Sequence, residues 1–361
     1  MSKYPKLTMN LSKLKENLAH MKSLCDEHGI DIAGVVKGCN GNIDAAKTFV
    51  NSGINQLASS RIAHLKAAEK AGISLPRMLI RIPMKSEVSE VVAYADISLN
   101  SEIEVIRCLN EEAISQNKIH QVILMVDLGD LREGFWDKDK LIEAAVEVED
   151  MSNVSLLGIG TNLGCYGAIV TTKEKMLELV EISKRVEKAI NRKVKYISGG
   201  GTMAIPLLFN GTMPKEINHL RIGEAILLAR DLMDVWPDEL GKMNQDVFTL
   251  ELEVVEIKDK PTYPVGEIMK DGFGLVKEFT DEGIKKRAIL AGGKVDYGYP
   301  EMLIPVKDKI KIWGASSDHT MIDISKLEDD IKIGDIFKFE LSYANLVYVT
   351  LCSDIKIHKV E

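Results

Sequence analysis

From residue 7 to about residue 222, short apolar runs alternate with longer stretches whose apolar positions recur every three or four residues. The runs suit buried strands and the longer stretches suit amphipathic helices. Leu7 to Asn10 reads as a short strand, and Ser12 is expected to cap a helix through about Asp26. Strands are then expected at Ile32 to Val36, Gln56 to Ser59, Met78 to Arg81, Asp96 to Leu99, Gln121 to Asp127, Ser155 to Thr161, Val194 to Ile197 and Asn218 to Arg221. Helices fall between them, at Ile43 to Asn51, Ile62 to Lys70, from near Ser86, from near Ser101, at Lys138 to Glu147, at Lys173 to Ile190, and briefly after Thr202. Gly53 and Gly72 stand as stop signals after the first two of these. About eight strands separated by helices within roughly 200 residues is the size of a small (β/α)8 barrel. An open doubly wound sheet is the alternative, and the strand count and even spacing favour the barrel.

Beyond about residue 240 the pattern changes. Val247 to Ile257, Ala288 to Ala291, Lys309 to Trp313, Phe337 to Leu341 and Val347 to Leu351 read as strands, with little helix between them. The fold class expected is therefore α/β, with an N-terminal (β/α)8 TIM-type barrel over residues 1–235. A mainly β C-terminal domain over residues 236–361 follows, joined near Val235-Trp236-Pro237.

Barrel chemistry collects at the C-terminal ends of the strands, so the residues there are the candidates. Lys37 ends the run Ile32-Ala33-Gly34-Val35-Val36 and is followed by Gly38-Cys39-Asn40-Gly41-Asn42. A buried lysine loses solvation, its pKa falls, and the neutral amine can be a Schiff-base nucleophile or a general base. A lysine left in water at a strand end is the plainer reading of this stretch alone. Arg132 follows the fifth strand, Asn162 the sixth, Ser198-Gly199-Gly200-Gly201-Thr202 the seventh, and Arg221-Ile222-Gly223-Glu224 the eighth. Glycine turns opening helices expose backbone N–H groups to an anion, and two of them on neighbouring strands point to a phosphate. Lysine, phosphate cradle and arginine on one rim suggest pyridoxal 5'-phosphate, the lysine taking the aldehyde.

Composition narrows the class further. The chain has 361 residues, 45% hydrophobic and 28% charged, and a net charge of −8. The acidic balance argues against nucleic acid as a partner. No apolar stretch reads as a signal peptide or membrane span. Five scattered cysteines make no disulfide framework and fit a reducing cytoplasm.

Taken in order, Val35-Val36-Lys37, Asp127 to Gly134, Leu220-Arg221-Ile222-Gly223, Gly314 to Asp323 and Leu341-Ser342-Tyr343 resemble the alanine racemase family, and within it the ornithine racemase branch. The resemblance covers nearly the whole chain. It implies that Lys37 carries the cofactor and serves as one of two bases in L/D interconversion at Cα. It implies that Arg221 faces the pyridine nitrogen, which discourages transamination, and that Arg132 lies near the phenolic oxygen. Asn162, Ser198 and Gly201 would line the cofactor, while Thr202, Gly223, Glu224 and Tyr343 would hold its phosphate. A homodimer is implied as well, the second domain completing the partner's site.

Several positions depart from the family pattern. Gly41 stands where the family has a tyrosine, Asn162 where it has a histidine, Gly201-Thr202 where it has Asn-Ser, and Met125 where a carbamylated lysine is frequent. The second base, a tyrosine in Gly-Tyr-x-Asp-Gly, corresponds to Gly292-Gly293-Lys294-Val295-Asp296-Tyr297-Gly298-Tyr299, so Tyr297, then Lys294, then Tyr299 are the candidates. Packing of both tyrosines within the β domain is the plainer alternative. A basic substrate such as ornithine needs a carboxylate for its distal ammonium. Asp130, Glu133 and Asp318, with Ser317 beside the last, are placed for it, whereas alanine needs none.

Three other readings stand beside an ornithine racemase: an alanine racemase, a non-catalytic pyridoxal-phosphate-binding protein, and a metal-assisted D-amino-acid aldolase. For the aldolase, Cys352, Asp354 and His358 form the nearest metal-like cluster, with spacing that suits no common site. No metal is expected.

Overall fold

A computed structural model describes residues 3–231 and 243–361. The expected linker at Val235-Trp236-Pro237 lies outside the described residues. The chain divides into two compact units, Leu14–Asn244 and a second made of Met1–Lys13 with Gln245–Glu361.

The first unit is a closed barrel of eight parallel strands: β2 (Asp31–Val35), β3 (Gln56–Ser59), β4 (Arg77–Leu79), β5 (Ile97–Asn100), β6 (His120–Val126), β7 (Val154–Thr161), β8 (Tyr196–Ser198) and β9 (His219–Ile222). Sequential strands are neighbours, and β9 closes on β2 with Asp31 opposite His219 and Ala33 opposite Arg221. The interior is packed by Ala33, Val35, Ala58, Met78, Ile97, Leu99, Ile123, Met125, Leu157 and Tyr196. Both strand faces are buried, which explains the near-continuous apolar runs in the sequence. The longer helices, Ile103–Ser115, Lys138–Glu149 and Lys173–Ile190, bury one apolar stripe each.

The second unit is an eight-stranded sheet. Its main path runs β12 (Ile304–Pro305), β15 (Ile336–Glu340), β10 (Phe248–Pro261), β11 (Ile284–Ala291), β14 (His319–Asp323), β13 (Lys311–Ala315). The first strand of the chain, β1 (Lys6–Asn10), pairs antiparallel with β10 and parallel with β16 (Ile357–Val360). This corrects the expected assignment of residues 1–235 to the barrel alone. β1 is too far in sequence from its partners for any local signal to show the pairing.

Two local readings are also corrected. Asn10, not Ser12, caps the first long helix, Leu11–Glu27, since its Oδ1 accepts the Lys13 N–H at 3.0 Å. Val347 to Leu351 is not a strand but the end of helix Tyr343–Leu351, capped by Ser342. Its β-branched valines suit a strand, but Leu346, Val349 and Thr350 are buried at helical spacing, and Asn345 locks the first turn. The Asn345 amide donates to the carbonyls of Tyr297 and Tyr299 at 2.9 and 2.8 Å.

Candidate active site

The mouth of the barrel is where the strand ends converge. Lys37 opens a short 3-10 turn one residue beyond β2, half-buried. Burial pushes its ammonium pKa below the ordinary lysine value. Arg132 and Arg221 push the same way, against Cys165 and Glu133. All four groups are thus within electrostatic reach of the amine, so the structure brings Lys37, Arg132 and Arg221 together.

Arg221 is buried, and burial lowers its pKa to about 10, which leaves it charged at neutral pH. It donates to Ser198 Oγ and to the Thr161 carbonyl at 2.7 Å, with Asn162 Oδ1 at 3.5 Å. Arg132 is half-exposed, forks onto the Glu133 carboxylate, and reaches Cys165 Sγ at 2.9 Å through Nη1. Asp130 is spent within the loops. Its carboxylate accepts the backbone N–H groups of Cys165 and Tyr166 at 3.3 and 3.1 Å, tying the loop after β7 to the loop after β6.

Two glycine turns lie beside this cluster. A Cβ on Gly201 would stand 2.9 Å from the Arg221 carbonyl, and one on Gly223 would stand 3.0 Å from Val35, so a side chain at either position would have to push its neighbour aside. Thr202 Oγ1 accepts the Ala225 N–H at 3.2 Å and so ties one turn to the other. Glu224 is buried beside them. One oxygen accepts the Arg230 and Asp231 N–H groups at 2.8 and 3.1 Å, while the other has no hydrogen-bond partner among the described residues. Burial, with Asp231 nearby, raises its pKa to about 7.

Gly41, the missing tyrosine, has a physical reason. Its φ is +63° and a Cβ there would fall 2.5 Å from the His64 ring. His64 is itself held by Ser59 at 2.8 Å and Asn40 at 2.9 Å.

The remaining candidates belong to the sheet unit. Tyr297 is completely buried, and its hydroxyl bonds to Thr320 Oγ1, which in turn donates to the Gly292 carbonyl at 2.7 Å. Burial raises its pKa well above the tyrosine range. A side chain sealed inside its own unit cannot reach a substrate, so the expectation that Tyr297 is the second base is corrected. The plainer packing alternative holds for it. Lys294 lies over the Phe273 ring at 4.5 Å with Asp271 at 3.8 Å, and Tyr299 is partly exposed, edge-on to Tyr348. Ser317 and Asp318 form the turn between β13 and β14, with Ser317 Oγ donating to Asp318 at 2.5 Å. Tyr343 opens the helix Tyr343–Leu351 and is half-buried.

Ser198 requires a correction too. It is fully buried, between Arg221 and His219, and therefore touches the arginine from behind instead of lining the mouth. Sequence reasoning missed His219, Tyr196 and Cys165. The first two carried a signal, because Tyr196/Ser198 and His219/Arg221 are polar residues at period two on strands whose interior face is the barrel core. Among the described residues no three His, Cys, Asp or Glu side chains converge to hold a metal ion. No helix among them is long and apolar enough to cross a membrane.

The fold is a (β/α)8 barrel with a lysine-centred cluster of charged side chains at its mouth, and a mostly antiparallel sheet unit lies in the same chain. Residues 9–231 match the family described as "Alanine racemase, N-terminal domain". The ornithine racemase of Acetoanaerobium sticklandii is 41% identical, over 95% of this chain and 96% of that protein. The lysine racemase of Thermotoga maritima is 39% identical, over 95% of each. Among solved structures, an alanine racemase of Clostridium difficile 630 superposes with a TM-score of 0.75 at 19% identity, over 99% of this chain and 97% of that one. This chain belongs to the alanine racemase family.

Proposed function

We propose that this protein is a pyridoxal-phosphate-dependent amino-acid racemase that interconverts L- and D-ornithine. The observation that carries the reading is the Lys37 amine, half-buried and held below its ordinary pKa beside two guanidinium groups at the mouth of a closed barrel.

The residues present fit the cofactor. Lys37 offers the amine for its aldehyde, and the Gly201 and Gly223 turns leave little room for a Cβ, with the Thr202 hydroxyl between them for a phosphate. When bound, pyridoxal 5'-phosphate supplies the electron sink that makes the Cα proton of an amino acid labile. With the cofactor bound, Arg221, a donor that keeps its charge, would hold the ring nitrogen through an N–H and so keep it unprotonated. Asn162 lies beside Arg221, and Arg132 would hold the phenolic oxygen.

Lys37 takes and returns the proton on one face of Cα. The other face needs a second base, and with Tyr297 sealed the role passes to Tyr299 or Lys294. In the homodimer that the family relationship favours, this residue is delivered by the sheet unit of a second copy. The ornithine side-chain ammonium needs a carboxylate when it leaves water. Asp130 is committed to backbone N–H groups and Glu133 to Arg132, so Asp318 with Ser317 is the proposed partner. The relatives named ornithine and lysine racemase support a basic substrate.

The test is Cα proton exchange in D2O, followed by NMR on cofactor-loaded protein with ornithine, lysine, alanine and serine, and with optical rotation recorded in parallel. Exchange with inversion for ornithine is expected. Inversion of alanine alone would replace the substrate, and no exchange with any of the four would leave a cofactor-binding protein without turnover.

A further inference from the structure

The chemistry proposed above makes no use of His64, yet this side chain touches the turn that carries Lys37. The turn starts from the end of β2, where the Val36 N–H donates to the Ala58 carbonyl at 2.9 Å. Lys37–Cys39 form the 3-10 turn, and Asn40 and Gly41 then reverse the chain with φ of +50° and +63°. Their N–H groups donate back to the carbonyls of Lys37 at 3.1 Å and Val36 at 2.9 Å. A left-handed asparagine is a strained residue, and it persists only where its surroundings hold it.

His64 lies in the first turn of helix Ile62–Lys70 and is half-buried. Its Nε2 lies 2.9 Å from Asn40 Oδ1, and its ring covers Gly41, where a Cβ would fall 2.5 Å from Cγ. Its Nδ1 lies 2.8 Å from the Oγ of Ser59, the buried last residue of β3. With Asn40 presenting its oxygen, Nε2 carries the proton and Nδ1 accepts the Ser59 hydroxyl. The Ser59 oxygen also accepts the Arg61 N–H at 3.4 Å, which leaves its one proton for the imidazole. Burial, and then the Arg61 charge, lower the His64 pKa, so the ring is neutral at neutral pH.

We propose that His64 is a positioning residue for Lys37: it ties the Lys37 turn, through Asn40, to the buried end of β3, and so fixes where the amine stands at the barrel mouth. The proposal rests on the reading of Lys37 as the group that takes the cofactor's aldehyde and moves the Cα proton. Proton transfer at Cα needs that amine in place, and a misplacement of about 1 Å costs about a hundredfold in rate. Replacing His64 by leucine keeps an apolar body beside Gly41 and cuts both hydrogen bonds. The turn is then free to shift, and Lys37, whose pKa is lowered chiefly by burial, regains water.

The experiment uses cofactor-free protein acetylated with acetic anhydride across a pH series, each lysine being followed by peptide mass spectrometry. Lys37 is expected to titrate below the ordinary lysine range in the wild type, and to move up toward it in His64→Leu and Asn40→Ala. Lys138, also lowered by burial but at the start of helix Lys138–Glu149, is the internal control and should not move. His64→Gln puts an amide nitrogen where Nε2 stands and can still bond Asn40, whereas the shorter His64→Asn serves Ser59 alone. Glutamine is therefore expected to restore the Lys37 titration, and asparagine is not. In the loaded enzyme, kcat for ornithine should fall roughly tenfold or more in His64→Leu, with KM little changed, and recover in His64→Gln. An unmoved Lys37 in His64→Leu, or Lys37 and Lys138 shifting together, would overturn the positioning role. Equal behaviour of the glutamine and asparagine variants would do the same, since only side-chain volume would then matter. If His64→Leu does not fold, that pair decides alone. Absence of racemisation in the wild type would refute the parent reading and leave the Lys37 titration standing.

Discussion

Replacing Tyr297 with phenylalanine separates the two roles that this tyrosine was given. The Thr320 hydroxyl spends its proton on the Gly292 carbonyl at 2.7 Å, so Tyr297 must be the donor of the bond between the two hydroxyls. Removing the Tyr297 oxygen leaves Thr320 its outward bond and takes away only an incoming one. The cost is that of a single buried neutral hydrogen bond, about 0.5–1.5 kcal/mol. The ring stays packed, whereas Tyr297→Ala would empty a fully buried site at about 3–5 kcal/mol. In thermal unfolding the phenylalanine variant should lose roughly 2–4 °C per kcal/mol. Its rate of optical-rotation loss with ornithine should match the wild type. Cα deuterium exchange retained for one enantiomer with racemisation abolished would show that Tyr297 reaches the substrate, and would refute the argument from burial.

Two pH dependences follow from the site. Lys37 has a lowered pKa in the folded state, so the unfolded chain binds the proton more tightly and stability rises with pH through the folded value toward the unfolded value of about 10.4. Cofactor-free Lys37→Met should therefore be more stable than wild type in urea at neutral pH, with the gap closing as pH approaches 10, and it should not racemise. Glu224 behaves in the opposite sense. Its pKa is raised from 4.5 to about 7, so its contribution to stability is fully present below 4.5 and is lost as pH rises through 7. Glu224→Gln should remove that loss and make the protein more stable than wild type above pH 7; an identical pH profile for the two would contradict the burial of the carboxyl.

The sequence by itself determined the barrel and much of the rim. Strands buried on both faces must be apolar throughout, their covering helices must carry stripes, and the alternation of the two is visible without long-range information. The rim follows from the strand ends, which is why Lys37, Arg132, Asn162, the Gly201 turn, Arg221 and Gly223 could be placed in order. Short apolar runs were harder to read. Val347 to Leu351 fits strand or helix equally by composition, and the choice fell to Asn345 and its two carbonyl partners. Tyr297 and Tyr299 are two residues apart in one motif, and nothing in that spacing says that one is sealed beneath Thr320 while the other is partly exposed. Only the tertiary structure decided that, and it also placed β1 in the sheet unit. Gln56, Ser198, His219 and Arg221 come from β3, β8 and β9, far apart in sequence but close around the closed barrel. Barrel closure brings β2 beside β9, and the hydrogen bonds that join Ser198, His219 and Gln56 exist only because a buried donor in that core must find an acceptor.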